Sequence, residues 1–252
     1  MLKKIFNNHT PIGSWLQIGN LDFTHMMIKA GFDFLVIDME HGSISENKLI
    51  NLLNIFKGTD CLPMVRVANN DKILIRRALD LGAKGIIVPG VQSKDDIKLA
   101  SNAIFYPPKG ERGIGYSKVN NYGLDFDEYF KYSNDNAIFI VQIENKMAVN
   151  NIDDIFSCND IFSYLIGPYD LSGSIGLVGD FNSKEYLNTL KIIKKSSEKY
   201  DIKSGIHVVE PNIIELESKV NEGYEFIAYS TDALLLHNRC KNDLQTIRSL
   251  KK

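Results

Sequence analysis

The feature that most constrains this chain is a rhythm. Short, continuously apolar runs alternate with longer amphipathic ones from end to end. The apolar runs are Gly13–Ile18, Phe34–Asp38, Pro63–Val67, Gly85–Val91, Ile138–Ile143, Phe162–Ile166, Ser204–Val209 and Phe226–Tyr229. Continuous rather than alternating apolarity suits a strand covered on both faces, as in parallel sheets. Between these runs, Ser45–Phe56, Asp71–Leu81, Ser93–Ala103, Lys146–Phe156, Ser183–Tyr200 and Pro211–Asn221 carry helical spacing. Ser45 and Ser93 open two of them as N-caps, and Gly82 closes another. Eight strand–helix units in 252 residues predict a TIM (β/α)8 barrel, residues 1–252 forming a single α/β domain. The runner-up is an open doubly wound sheet, weakened because no G-x-G-x-x-G follows a strand. Residues 105–136 and 167–182, rich in Pro and Gly, read as two long loops able to act as lids or binding loops.

Composition narrows the function. Twenty-nine Lys and Arg against 31 Asp and Glu give a net charge of −2, so no basic excess favours nucleic acid or an anionic membrane. Apolar stretches such as Ala137–Val141 fall far short of the ~20 residues that span a bilayer. Three scattered cysteines (Cys61, Cys158 and Cys240) make neither a disulfide framework nor a zinc cluster, and the expected placement is a reducing cytoplasm.

In a barrel, chemistry collects where strands end. The second run ends in D-M-E-H-G (Asp38–Gly42), the third in Arg66, the fifth in Gln142-Ile143-Glu144 and the sixth in Gly167-Pro168-Tyr169-Asp170. The seventh carries His207, and the eighth runs into Ser230-Thr231-Asp232. Glu144 and Asp170, on adjacent strands, are metal candidates, because hard divalent cations take carboxylate oxygens. The competing reading is a helix cap or an ion pair for each. His41 with Asp38 is the acid–base candidate: a carboxylate on one imidazole nitrogen leaves the other to exchange protons. Glu40 is a rival partner, and a surface histidine the plainer reading. Arg66 offers a planar donor fork for a carboxylate or a developing enolate, or else a structural pair with Glu40 or Glu144. Asp80, late in a helix, and His207 are weaker candidates. A Schiff-base aldolase needs a lysine at the carboxyl ends of its strands, and none stands there. The segments V-V-E-P-N and S-T-D-A-L after strands seven and eight lack glycine-rich amide nests, which disfavours a phosphorylated substrate.

Taken together, D-M-E-H-G, P-M-V-R, V-P-G-V-Q, Y-P-P-K-G-E-R-G-I-G, Q-I-E and G-P-Y-D-L-S resemble the HpcH/HpaI aldolase family, in the right order over about residues 11–236. That resemblance implies a class II, metal-dependent aldolase (a carbon–carbon lyase). Such an enzyme reversibly cleaves a 4-hydroxy-2-oxo acid to pyruvate and an aldehyde through a metal-bound enolate. It implies a divalent cation (Mg²⁺, Mn²⁺ or Co²⁺) on Glu144 and Asp170, with Gln142 beside it. It also implies His41 and Asp38 as an acid–base dyad working with a water, and Arg66 on the pyruvyl oxygen. Asp80 is implied to reach a neighbouring subunit's site, in a hexamer (a trimer of dimers) with the last helix exchanged between partners. Its partners would be a small 2-oxo acid and an aldehyde. The sequence departs from the family at Tyr169, where a small residue is usual and whose backbone amide would hold the substrate carboxylate, and in the loop G-Y-S-K-V-N-N-Y-G. The alternatives are an acyl-CoA lyase of the citrate or malyl type, for which no basic nucleotide cluster is visible, and a non-catalytic 2-oxo acid binding homologue.

Overall fold

The computed structural model describes residues 9–250. Eight parallel strands close into a barrel in chain order: β1 (Ile12–Leu16), β2 (Phe34–Asp38), β3 (Leu62–Arg66), β4 (Gly85–Val88), β5 (Ile138–Ile143), β6 (Ser163–Ile166), β7 (Lys203–Val208) and β8 (Phe226–Thr231). Around it lie α1 (Leu21–Ala30), α2 (Glu46–Ile55), α3 (Lys72–Leu81), α4 (Lys94–Ile104), α5 (Phe126–Asn136), α6 (Lys146–Asn150), α7 (Ile152–Phe156), α8 (Pro168–Ser174), α9 (Lys184–Tyr200), α10 (Ile213–Asn221) and α11 (Asp232–Ser249). This is the predicted TIM-barrel architecture. Among the described residues, no helix is long and apolar enough to cross a membrane.

The helix ends obey the expected chemistry. Ser45 Oγ accepts from the Lys48 amide, Ser93 and Asp96 form a reciprocal capping box, and Gly82 closes α3 in the left-handed conformation. Three readings are corrected. The segment 146–156 is two short helices broken at Asn151, whose backbone leaves helical geometry. The expected loops are partly helical: 105–136 contains α5 and a 3₁₀ segment at Lys118–Gly123, and 167–182 contains α8, opened by Pro168 in its first turn. The first strand stops at Leu16 rather than Ile18, because the Asp232 carboxylate takes the amides of Gln17, Ile18 and Gly19 at 3.0–3.3 Å. That carboxylate, at the start of α11, ties the end of β1 to the end of β8.

The barrel interior holds its own apolar cluster, including Trp15, Phe34, Val36, Met64, Ile87, Ile140, Leu165, Phe226 and Ala228. A second cluster fills the space between the strands and the helices. Inside, the rings of Phe34 and Phe226 meet edge to face at 5.9 Å. They fit because Gly13 and Gly205 face them: a Cβ on Gly13 would lie 2.3 Å from Phe34 Cδ2, and one on Gly205 2.0 Å from Phe226 Cε1. Phe34, Val36 and Asp38 share one side of β2 by alternation, so the apolar layers end upward in a polar one.

Gly205→Ala is therefore expected to lower stability by about 2–3 kcal/mol through overpacking, seen as a fall of roughly 5–10 °C in the melting temperature. Gly205→Ala combined with Phe226→Leu should recover only part of the loss, because the added Cβ would also lie 2.6 Å from the Tyr164 carbonyl oxygen; a single variant that melts like the parent would contradict this packing.

Candidate active site

The polar layer at the carboxyl ends of the strands is organised around Asp38 and Arg66. The last residue of β2 is paired with the last residue of β3 in the sheet register. Arg66 donates twice to Asp38, from Nε to Oδ1 at 2.9 Å and from Nη2 to Oδ2 at 2.7 Å. Both side chains are buried, Asp38 fully. Burial works against ionisation of Asp38. The hydrogen bonds and charge of Arg66 outweigh it, with help from the His41 amide and the Gln17 side chain, and hold the carboxyl below its usual range. The guanidinium also lies 4.3 Å from the centre of the Trp15 ring, a cation–π contact.

From this pair the network spreads to the metal candidates. Arg66 Nη1 donates to Gln142 Oε1 at 3.4 Å and stands 3.3 Å from Glu40 Oε2. Gln142 Nε2 donates to Glu144 Oε2, and the Gly90 amide donates to Glu144 Oε1 at 2.5 Å. Burial raises the Glu144 carboxyl, and the nearby charges of Glu40 and Asp170 push it the same way. Glu40 is raised chiefly by burial as well, with Asp38 and Asp170 adding to the effect. Thus Glu40, Glu144 and Asp170 feel one another across a shared space. Among the described residues, no Lys or Arg pairs with Glu144 or Asp170. Nor do three or more His, Cys, Asp or Glu close into a metal cage. Two carboxylates on an open rim leave coordination positions for water and substrate oxygens, the pattern a hard divalent cation prefers. Glu40 Oε2, buried and ion-paired with Arg66 without a hydrogen bond, lies on the same side. The residues fit such a cation.

A cavity of about 340 Å³ opens here, lined by Trp15, Arg66, Gln142, Tyr169, Asp170 and the His41 ring among others; no lysine lines it. The structure thus brings together His41, Arg66, Gln142, Tyr169 and Asp170, with Glu144 bonded to Gln142 at its edge. The expected contact between Asp38 and the His41 ring is replaced by another. Asp38 Oδ1 accepts from the His41 backbone amide at 3.2 Å, while ring Nε2 stands 3.8 Å from Glu40 Oε2. The reason is Arg66, whose two bonds take the Asp38 carboxylate edge on. Asp80 does not line this mouth. It sits in the last turn of α3, where its Oδ1 accepts from Arg112 Nη2 at 2.7 Å. Arg112 belongs to the Y-P-P-K-G-E-R motif and is itself stacked over Tyr106 at 4.5 Å. Tyr169 lines the mouth with its ring edge-on to Phe181 at 5.1 Å.

Two lining residues, Gln17 and Trp15, escaped the sequence reading, and His207, a weaker candidate there, lines the mouth with them. Gln17 just after β1 donates from Nε2 to Asp38 Oδ2 at 3.3 Å, and the strand-end rule applied to β1 would have found it. Trp15 reads as core packing from sequence, yet it carries Arg66. His207 faces Trp15 at 5.4 Å between ring centres, and burial and the Arg66 charge push it down to about 3, so it stays neutral.

The HpcH/HpaI aldolase/citrate lyase family model matches residues 12–238. The chain is 32% identical over 222 residues to the 5-keto-4-deoxy-D-glucarate aldolase of Escherichia coli (strain K12), covering 88% of this chain and 86% of that protein. It is 30% identical over 249 residues to the 2-dehydro-3,6-dideoxy-6-sulfogluconate aldolase of Pseudomonas putida, covering 98% and 95%. The crystal structure of an HpcH/HpaI aldolase/citrate lyase family protein from Burkholderia cenocepacia J2315 superposes with a TM-score of 0.92 at 26% identity, covering 98% of both chains. With that coverage and a closed eight-stranded barrel carrying the motif residues at its mouth, the chain belongs to the HpcH/HpaI aldolase/citrate lyase family and is an enzyme of the carbon–carbon lyase class.

Proposed function

We propose that this enzyme is a divalent-metal-dependent class II aldolase that reversibly cleaves a 4-hydroxy-2-oxo acid to pyruvate and an aldehyde. One observation carries the reading. A buried, bidentately held guanidinium stands at the barrel mouth with Glu144 and Asp170, with which no Lys or Arg side chain pairs among the described residues. An anionic enolate needs that combination of fixed positive charge and an open cation site.

Glu144 and Asp170 would hold a divalent cation such as Mg²⁺, Mn²⁺ or Co²⁺, whose contribution when bound is Lewis acidity toward the oxygens of the 2-oxo acid. Every other role falls to the chain itself. Gln142 bonds Arg66 on one side and Glu144 on the other, so its amide sets their spacing. Arg66 stabilises the oxygen that gains charge as the methyl proton leaves. Asp38 and Trp15 keep its donor fork from turning away. The backbone amide of Tyr169, in the first turn of α8, is suited to the substrate carboxylate. His41, through a water, takes the methyl proton. The methyl carbon then bonds to the aldehyde carbon, and the aldehyde oxygen gains a proton to become the 4-hydroxyl; cleavage reverses these steps. Asp38 acts by holding the His41 backbone and Arg66 rather than by relaying a proton from the imidazole. The acyl-CoA lyase alternative gains no support, because the only cationic side chain among the described residues lining the mouth, Arg66, is engaged by Asp38.

We also propose assembly into a hexamer with α11 exchanged between partners. In support, Leu236, Leu244 and Ile247 leave α11 exposed and uncovered within the chain. Asp80, remote from its own mouth cavity, would then serve a neighbour's site. We propose the cytoplasm as its compartment, which three scattered free cysteines suit.

Deuterium uptake at the pyruvate methyl tests the central claim without any aldehyde. With Mn²⁺ the exchange should proceed. It should stop in EDTA, drop at least about a hundredfold in Glu144→Gln as several kcal/mol of charge stabilisation is lost, and lose its dependence on pH in His41→Ala. Full exchange in EDTA would refute the metal site. Because the Glu144 carboxyl is raised in the fold, its ionised form opposes folding at neutral pH. Glu144→Gln should therefore melt no lower than the parent without metal, yet lose the stabilisation by added Mn²⁺ that the parent shows.

Arg66→Lys keeps the charge but loses the planar fork. It should lower kcat by about 10- to 100-fold with a smaller rise in the KM for pyruvate. A change confined to KM would make Arg66 a binding residue alone. Arg66→Ala should cost about 3–5 kcal/mol of stability, since Asp38 is left buried without a counter-charge. The depressed carboxyl contributes stability above its unfolded value of 3.8 and loses it as the pH falls below that, so in Arg66→Ala the difference from the parent should shrink at low pH.

A further inference from the structure

A second cavity, of about 570 Å³, adjoins the mouth between α8 and α9 on one side and β7 and α10 on the other. The two cavities share Pro168, Tyr169, His207 and Val209 as lining, and the Tyr169 ring against Phe181 forms part of the wall between them. The second space therefore begins where the first ends.

Its lining has a definite electrostatic character. Three glutamates (Glu210, Glu215 and Glu222) and one lysine (Lys219) face it, with His207 neutral, for a net charge of −2. The lysine is already used: its Nζ lies 2.9 and 3.0 Å from the two carboxylate oxygens of Glu222. Among the described residues, no Lys or Arg pairs with Glu210 or Glu215; Glu210 accepts from the Asn238 amide at 3.3 Å. Two of the amides at the start of α10, the usual backbone site for an anion, are occupied as well. Asn212 Oδ1 accepts from Ile214 at 3.0 Å and from Glu215 at 3.4 Å. An anionic group entering this space meets Glu210 and Glu215, with which no Lys or Arg pairs among the described residues, while a hydroxyl meets carboxylate acceptors. The field is felt at the wall, where burial and the Glu215 charge both oppose ionisation of Tyr186.

We infer that this second cavity receives the part of the aldehyde beyond its carbonyl carbon, and that its acidic lining selects an uncharged, hydroxyl-bearing aldehyde over a phosphorylated or carboxylated one. This rests on the aldolase reading above and adds the acceptor class to it. No new bond-making step is involved, only the choice of partner for the one already described.

The test is a comparison of kcat/KM for aldol addition of pyruvate, with Mn²⁺ present, to glyceraldehyde, glyceraldehyde 3-phosphate and succinic semialdehyde. Glyceraldehyde should exceed both anionic aldehydes by about tenfold or more, since like charges brought together in a partly desolvated space repel. In Glu215→Lys the ratio of phosphorylated to neutral aldehyde should rise by about tenfold, and Glu210→Lys, read the same way, serves if the first variant fails to melt cooperatively. An anionic aldehyde preferred by the parent, or a ratio unmoved in a folded variant, overturns the inference. Deuterium exchange at the pyruvate methyl in the parent, measured without aldehyde, separates the two levels. Exchange with the preference reversed overturns only the acceptor assignment, whereas no exchange overturns the aldolase reading on which it stands.

Discussion

A carboxylate cannot stay ionised inside a barrel without a counter-charge, and Asp38 is buried completely. Its partner Arg66 is the adjacent strand's terminal residue in the same register, so the pair forms as soon as β2 and β3 zip together. Everything polar at the mouth takes its position from that bond. The guanidinium, fixed on the Trp15 face, reaches Gln142 on β5, and Gln142 in turn bonds Glu144. On the other side Asp38 takes the backbone amides of Glu40 and His41, folding the D-M-E-H turn back over the strand end. The site is thus a chain of hydrogen bonds anchored in sheet register rather than a set of loops that happen to meet.

Below this layer the barrel is apolar and above it lies open space, which divides the labour. Paired glycine and phenylalanine positions fill the lower interior, Gly13 with Phe34 and Gly205 with Phe226, so that an added Cβ at either glycine would meet a ring. The upper layer keeps carboxylates whose acidity is weakened by burial and by one another. Such a cluster is unfavourable for folding and favourable for a cation, the usual trade at a functional site. The Asp232 carboxylate has a scaffolding role instead. By taking three amides after β1 it stops that strand and holds Gln17 at the rim.

Two residues show how a neighbour can redirect an expected role. His41 and Asp38 are three apart, close enough to suggest an imidazole–carboxylate pair, yet the stronger donor fork of Arg66 claims the carboxylate and leaves the ring beside Glu40. Tyr169 stands where bulk would be expected to narrow the pocket. The edge contact with Phe181 makes the ring a partition between two cavities.

The barrel was legible in the sequence because continuous apolar runs with capped helices between them admit few architectures, and the residues at the ends of those runs already named Arg66, Gln142, Glu144 and Asp170. Local signals also foretold the caps at Ser45 and Ser93 and the stop at Gly82, since capping depends on neighbours a few residues away. What the sequence could not carry were contacts between residues distant along the chain. The Arg66 choice of Asp38 spans 28 positions, and the Asp232 grip on Gln17 spans 215. The pairing of Asp80 with Arg112, across 32 positions, was likewise settled by packing rather than by local propensity. Tertiary structure decided these because hydrogen-bond partners compete in three dimensions, and the winner depends on which strand ends closure of the barrel brings side by side.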